Sequence, residues 1–93
     1  MADDSELMTE KRCGQLHDEA VRGGDVLIWT IYYSPTDYPG KFVCRPWSVR
    51  RNAPLLHHLE AASLEAMRGI LPQGLAWFPR QKSDDHKIVE TWM

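Results

Sequence analysis

The chain has 93 residues, of which 43% are apolar and 26% charged, and its formal net charge is -2. These values are typical of one soluble globular domain and exclude a disordered chain. The longest apolar run, 26–33, is too short for a membrane-spanning helix, and the acidic N-terminus lacks the layout of a signal peptide. Cys13 and Cys44 are too few for a disulfide scaffold and have no zinc-ligand spacing. We therefore expect a reduced, cytoplasmic protein without membrane contact.

The N-terminal segment differs in composition from the rest of the chain. Residues 1–25 hold seven of the 13 acidic residues and few large apolar side chains. Ser5 is a candidate cap for a helix over 6–21, but Gly14 interrupts that stretch and no continuous apolar stripe forms. We expect 1–24 to be a flexible or weakly helical acidic extension of a single small domain over 25–93.

The first half of that domain predicts two strands. Residues 26–33 are rich in β-branched and aromatic side chains, which suit a strand. Turn residues follow over 34–40, and 42–49 is the return strand. Pro46 lacks a backbone N–H, so the second strand is expected to lie at an edge or to carry a bulge there.

Two interpretations of the next segment stay open. Apolar residues recur at three- and four-residue steps over 55–71, which predicts one long helix beginning near Pro54. Ser63 is an alternative N-cap, in which case only 64–71 is helical and 55–60 is extended. Periodicity alone favours the longer helix.

Short strands at 75–78 and 88–92 complete the predicted fold. It is α+β with the order β-β-α-β-β: a four-stranded, mostly antiparallel sheet with one helix on a face. The first strand is apolar on both faces, whereas one helix covers only one face. The N-terminal extension, the aromatic side chains or a second subunit must therefore shield the other.

Several short motifs, in this order, resemble a family of small uncharacterised bacterial and prophage-associated proteins. They are IWTIYYSPTDYPGKFVCR at 28–45, SLEAMR at 63–68, LPQGL at 71–75, PR at 79–80 and DDHKIVETW at 84–92. Family members carry a proline before the SLEA segment, which favours the helix start near Ser63, although this chain has Glu60 and two alanines there. His86 likewise stands where a proline usually follows the paired aspartates. The resemblance implies a fold unit over 26–93 and a bacterial or phage origin, but no activity, ligand or partner. An over-extended translation start is one interpretation of 1–24.

The densest polar cluster, Asp84, Asp85 and His86 with Arg80 nearby, is a candidate metal or acid–base site. Adjacent residues rarely converge on one ion, so we expect a solvated loop in which one aspartate caps a turn. Cys44 has no Cys-x-x-Cys partner and is expected to be a buried small hydrophobe. The sequence thus predicts no catalytic residue, no metal site and no cofactor.

Binding is the function class that remains. Trp and Arg dominate protein-binding hot spots, which makes Arg45, Trp47, Arg80 and Trp92 the candidate binding residues. We expect a non-enzymatic interaction module whose partner is another protein or a second copy of the chain. The alternative is a nucleic-acid-binding module that uses aromatic and basic residues on one sheet face, although the chain is acidic overall, with a pI near 6.0.

Overall fold

The structure is a computed structural model, and it describes residues 6–82 and 85–93. This part of the chain contains seven strands and two helices. In chain order they are β1 (Glu6–Leu7), α1 (Glu10–Arg22), β2 (Leu27–Tyr33), β3 (Phe42–Ser48), β4 (Ala53–Pro54), β5 (His57–Ala61), α2 (Leu64–Ile70), β6 (Trp77–Pro79) and β7 (Ile88–Trp92). The strands form one mixed sheet in the order β1-β5-β3-β2-β7-β6, with β4 beside β3. The α+β class is confirmed, but the expected four strands and single helix are too simple.

The centre of the sheet is the predicted hairpin. β2 and β3 pair antiparallel over their whole length, from Leu27 opposite Ser48 to Tyr33 opposite Phe42. Gly40 has a φ of 77°, which a glycine adopts without strain, and its N–H donates to the Ser34 hydroxyl at 2.9 Å. Turn chemistry therefore sets the register, and both strand predictions hold to within one residue at each end.

Pro46 lies in an interior strand, contrary to the expected edge or bulge. β3 has β2 on one side, while β5 pairs with residues 42–44 and β4 with residues 47–48 on the other. Pro46 falls in the gap between these two short partners, where its carbonyl accepts the Leu55 N–H at 3.0 Å. The missing N–H is tolerated because the ladder on that side is already interrupted.

The shorter of the two predicted helices is the one that forms. The Ser63 hydroxyl accepts the Ala66 N–H at 3.0 Å and begins α2. The preceding residues form β5, in which Leu59 lies opposite Cys44 and is almost fully buried. Helical periodicity misassigned 57–61 because the apolar Leu59 is buried in a strand here, as it would be on the inner side of a helix.

The second helix, α1, lies within the segment expected to be an extension. Thr9 caps it by accepting the Arg12 N–H at 3.1 Å. Met8, Cys13 and Leu16 are buried in the same core cluster as the inner side chains of β2. The helix α1 is therefore packed against the core. The sequence pattern does not show this, because the small residues Cys13 and Ala20 complete an apolar stripe that the large residues alone do not form.

Both helices contribute to the core on one face of the sheet, which we call the helix face. It carries Leu27, Trp29 and Ile31 of β2 together with Met67 of α2. On the opposite face, the open face, the 34–41 loop folds over one end. There the Tyr38 ring packs at 4.9 Å from that of His58. Neither helix is long and apolar enough to span a membrane within the described ranges.

Candidate functional site

The uncovered part of the open face carries exposed aromatic side chains. Strand register places five residues side by side there, which we call the open patch: Ile28, Thr30, Trp47, Phe78 and Thr91. Trp47 is 38% exposed and Phe78 41% exposed, and the other three are half-buried. The second apolar face expected from β2 thus remains partly open to solvent.

Charged groups bordering the open patch are paired with each other. The Arg45 guanidinium lies 2.8 Å from Asp37 and stacks 5.8 Å above the centre of the Tyr32 ring. Farther along the face, Lys41 pairs with Glu60 at 3.1 Å. Arg45 and Trp47 lie on the same face, as binding residues would, but the positive charge of Arg45 is locally balanced.

Trp92, the third candidate binding residue, lies on the helix face instead. Register aligns Trp77, Trp92 and Trp29 in a row across β6, β7 and β2. The Trp92 indole N–H donates to Glu90 at 2.6 Å, and the Trp77 indole donates to the same carboxylate at 3.2 Å. The side chain of Trp92 therefore anchors a buried acid.

Glu90 is the most buried acid of the described residues, at 3% exposure, and no residue pattern in the sequence predicts this burial. Two nitrogens of the Arg68 guanidinium donate to its carboxylate, at 2.9 and 2.5 Å. Together with the two indole N–H groups, they give each carboxylate oxygen two hydrogen bonds. Arg68 lowers the pKa of Glu90, opposed by burial, and the two indoles lower it further. This network fastens α2 to β7 and has no acceptor left for a ligand.

The polar loop contains the remaining predicted residues. Arg80 follows β6 and is exposed, Asp84 lies outside the described residues, and His86 is exposed in a turn. The Asp85 carboxylate accepts the Lys87 N–H at 2.9 Å, which confirms that one aspartate caps a turn. No group of three metal-ligating side chains occurs among residues 6–82 and 85–93.

Both cysteines are buried free thiols in the core. Burial raises the pKa of Cys13 to about 11 and that of Cys44 well above its ordinary value. A thiol acts as a nucleophile only as a thiolate, and these thiols are held protonated and away from solvent. The buried-hydrophobe interpretation of Cys44 is confirmed.

A cleft of about 910 Å³ separates α1 from the segment 50–57. One stripe of α1, residues 12, 16, 19 and 20, forms the first wall together with the C-cap residue Gly23. The facing wall carries Arg50, Arg51 and the apolar residues 53–56, and Leu27 lies at the junction with the sheet. Sequence reasoning missed this cleft because the stripe faces it only when α1 docks beside the sheet.

Comparison with protein-family models, with curated proteins and with solved structures finds no match to this chain. The family resemblance of the motifs therefore stays a prediction.

Proposed function

We propose that this chain is a non-enzymatic protein-interaction module that pairs with a second copy of itself through the open patch. The single observation that carries the proposal is the exposure of Trp47 and Phe78 on a sheet face that neither α1 nor α2 covers. Tryptophan is enriched at the centres of interfaces because its large ring gains much burial at small entropic cost.

The charge pattern supports a protein surface as the partner. A twofold interface places the same patch on both subunits, so unpaired like charges would repel. Here Arg45, which lies opposite Thr30 of the open patch, is paired with Asp37, and the five patch residues themselves carry no charge. Arg50 and Arg51 lie at the cleft beside α1 rather than next to Trp47. A single-stranded nucleic acid would instead need several unpaired bases among the aromatics.

The sheet edges favour docking on a face rather than strand addition. Ala76 and Met93 exchange two backbone hydrogen bonds, so the Trp77 backbone groups point away from β7 towards the open edge. Pro79, the next outward residue, has no N–H, and its carbonyl accepts the Gln81 side chain at 3.2 Å. At the opposite edge β1 has only two residues. Edge strands that are this short, or that carry a proline, disfavour backbone pairing with a strand of another chain.

Light-scattering mass across a concentration series tests the proposal. At roughly 1 mM protein, where even a millimolar Kd leaves about half of the chains in dimers, we expect a mass clearly above 10.7 kDa that rises with concentration. Trp47→Glu places two charges against each other across the twofold axis and is expected to return the monomer mass. Val21→Glu, a matched change of an exposed apolar residue on α1, is expected to leave the dimer intact.

A monomer mass at the highest concentration overturns self-association, as does a dimer that Trp47→Glu does not weaken. Far-UV circular dichroism of each variant checks that the fold is kept. Single-stranded DNA titrated by fluorescence anisotropy separates the alternative: tight binding that falls steeply with salt would replace the proposal by nucleic-acid recognition.

A further inference from the structure

We infer that the cleft between α1 and residues 50–57 binds a small amphipathic anion, a molecule with an apolar body and one carboxylate, sulfonate or phosphate group. The cleft lies on the helix side of the sheet and does not involve the open patch, so this inference is independent of the proposed self-association. Its volume, about 910 Å³, is at the upper end of the range found for small-molecule sites.

The cleft is held open by attachments at both ends of α1. Before the helix, the Glu6 N–H donates to the Leu56 carbonyl at 2.9 Å and the Met8 N–H to the His58 carbonyl at 2.8 Å. After the helix, the Arg50 guanidinium donates to the Gly23 carbonyl at 2.7 Å. Between these attachments α1 is not hydrogen-bonded to the facing wall. Because the cavity is already formed, binding a ligand does not require the free energy that opening a closed site would cost.

Asp25 strengthens the second attachment. Its carboxylate accepts the N–H groups of Val26 and Arg50, at 2.8 and 2.9 Å, and the Ser48 hydroxyl at 2.5 Å. The hydroxyl of Ser48 does most to lower the pKa of Asp25, followed by the Arg50 N–H. These three hydrogen bonds commit the carboxylate to the chain connection between α1 and β2.

The remaining charges favour an anion. Three arginines line the cleft against two acids, and the second acid, Glu19, already pairs with Arg12 at 3.2 Å. Arg50 is used at the end of α1, whereas the Arg51 guanidinium makes no hydrogen bond or ion pair within 6–82 and 85–93. Arg51 thus offers a rigid set of N–H donors suited to a carboxylate, sulfonate or phosphate.

The rest of the lining suits an apolar body. Leu16 and Leu27 are buried core residues whose side chains reach the cleft, and Ala20, Leu55 and Leu56 extend this surface towards solvent. Leu56 is 64% exposed and lies next to Leu55 at the rim of the cleft, so it offers apolar surface that a ligand can bury. A ligand lying between α1 and Leu56 would bury these groups while its anionic end meets Arg51.

The fluorescent sulfonate 1-anilinonaphthalene-8-sulfonate is the first probe, since it combines an apolar ring system with one anion. We expect one saturable site per chain, with a Kd raised about tenfold by Arg51→Gln, the effect of losing one charge-assisted contact. Leu56→Glu places an acid at the same rim and is expected to weaken binding at least as much. Both positions are exposed, so neither change threatens the fold.

Two matched variants serve as controls. Lys82→Gln removes one exposed positive charge, and Leu7→Glu puts the same acid on another exposed leucine; neither residue lines the cleft. Both are expected to bind the probe with unchanged Kd. Laurate and dodecyl phosphate are expected to displace it, and their relative potency shows which anion the cleft prefers. Dodecyltrimethylammonium, a cation of similar length, is expected to be a poor competitor.

The absence of saturable binding overturns the inference. So does a Kd unchanged in either Arg51→Gln or Leu56→Glu, because the probe then lies elsewhere. Displacement by the cation as effective as by laurate overturns the requirement for an anion. The light-scattering mass of Arg51→Gln is expected to match that of the unaltered chain, which keeps this test distinct from the test of the open patch.

Discussion

Replacing Glu90 by Gln perturbs the network that fastens α2 to the sheet. In the protein, each carboxylate oxygen accepts one N–H of Arg68 and one indole N–H. A glutamine amide has the same shape but only one oxygen. In either orientation its NH₂ group faces two donors, so two hydrogen bonds are lost and the charge that attracts Arg68 is removed.

The size of the effect follows from burial. A hydrogen bond to a charged group contributes about 1.5–3 kcal/mol, so two give about 3–6 kcal/mol. The Arg68 side chain is 46% exposed and regains water when released, which reduces the expected loss to about 2–3 kcal/mol. For a domain of this length, that corresponds to a decrease in Tm of roughly 10–20 °C.

Urea unfolding followed by far-UV circular dichroism measures this loss. Glu65→Gln, an exposed acid in the first turn of α2, is the matched control and is expected to cost no more than about 0.5 kcal/mol. Combining Glu90→Gln with Arg68→Gln is expected to cost clearly less than the sum of the single changes, by about 1 kcal/mol or more. A loss below about 0.5 kcal/mol for Glu90→Gln, or full additivity, would refute this account of the network.

Three further predictions concern pH, thiols and the N-terminal segment. Because the pKa of Glu90 is lowered in the folded chain, its contribution is complete above the ordinary glutamate pKa of about 4.3 and is lost as pH falls through the lowered value. Urea unfolding between pH 3 and 7 is expected to show a shallower acid loss in Glu90→Gln; parallel curves would contradict this. Cys13 and Cys44 are expected to react with a disulfide reagent at least about a hundredfold faster in denaturant than in buffer, and rapid native labelling would show that the core opens. Deleting 1–24 removes Met8, Cys13 and Leu16 from the core, at about 1.5–3 kcal/mol for each large side chain, so the remainder is expected to lose cooperative thermal unfolding. A cooperative melt of the shortened chain would contradict a core role for α1.

Local chemistry made much of the sheet predictable. β2 and β7 have dense β-branched and aromatic residues, and the 34–40 turn has its glycine where a positive φ is needed. Ser63 was identifiable as a cap, but choosing it over Pro54 required the pairing of β5 with β3. The choice depends on residues distant in the chain, because a short segment forms a strand only where a neighbouring strand provides backbone hydrogen-bond partners.

The candidate binding residues show the same division. Alternation along β3 places Arg45 and Trp47 on one face, and the structure adds that Asp37 neutralises Arg45. Trp92 could not be separated from Trp47 by its sequence surroundings. The Trp92 indole donates to Glu90 because β6, β7 and α2 together bring two indoles and a guanidinium to one carboxylate.

By itself the sequence determined the α+β class, the central hairpin, the strand at 88–92 and the absence of reactive spacing around its cysteines. Those features depend on residue types over a few positions, which φ preferences and side-chain alternation already constrain. Only the tertiary structure decided that α1 packs against the core, that Glu90 is buried, and that a cleft remains beside Arg51. Each of these features joins residues that are far apart in the chain. The contacts that stabilise them form only when the helices and strands have packed together.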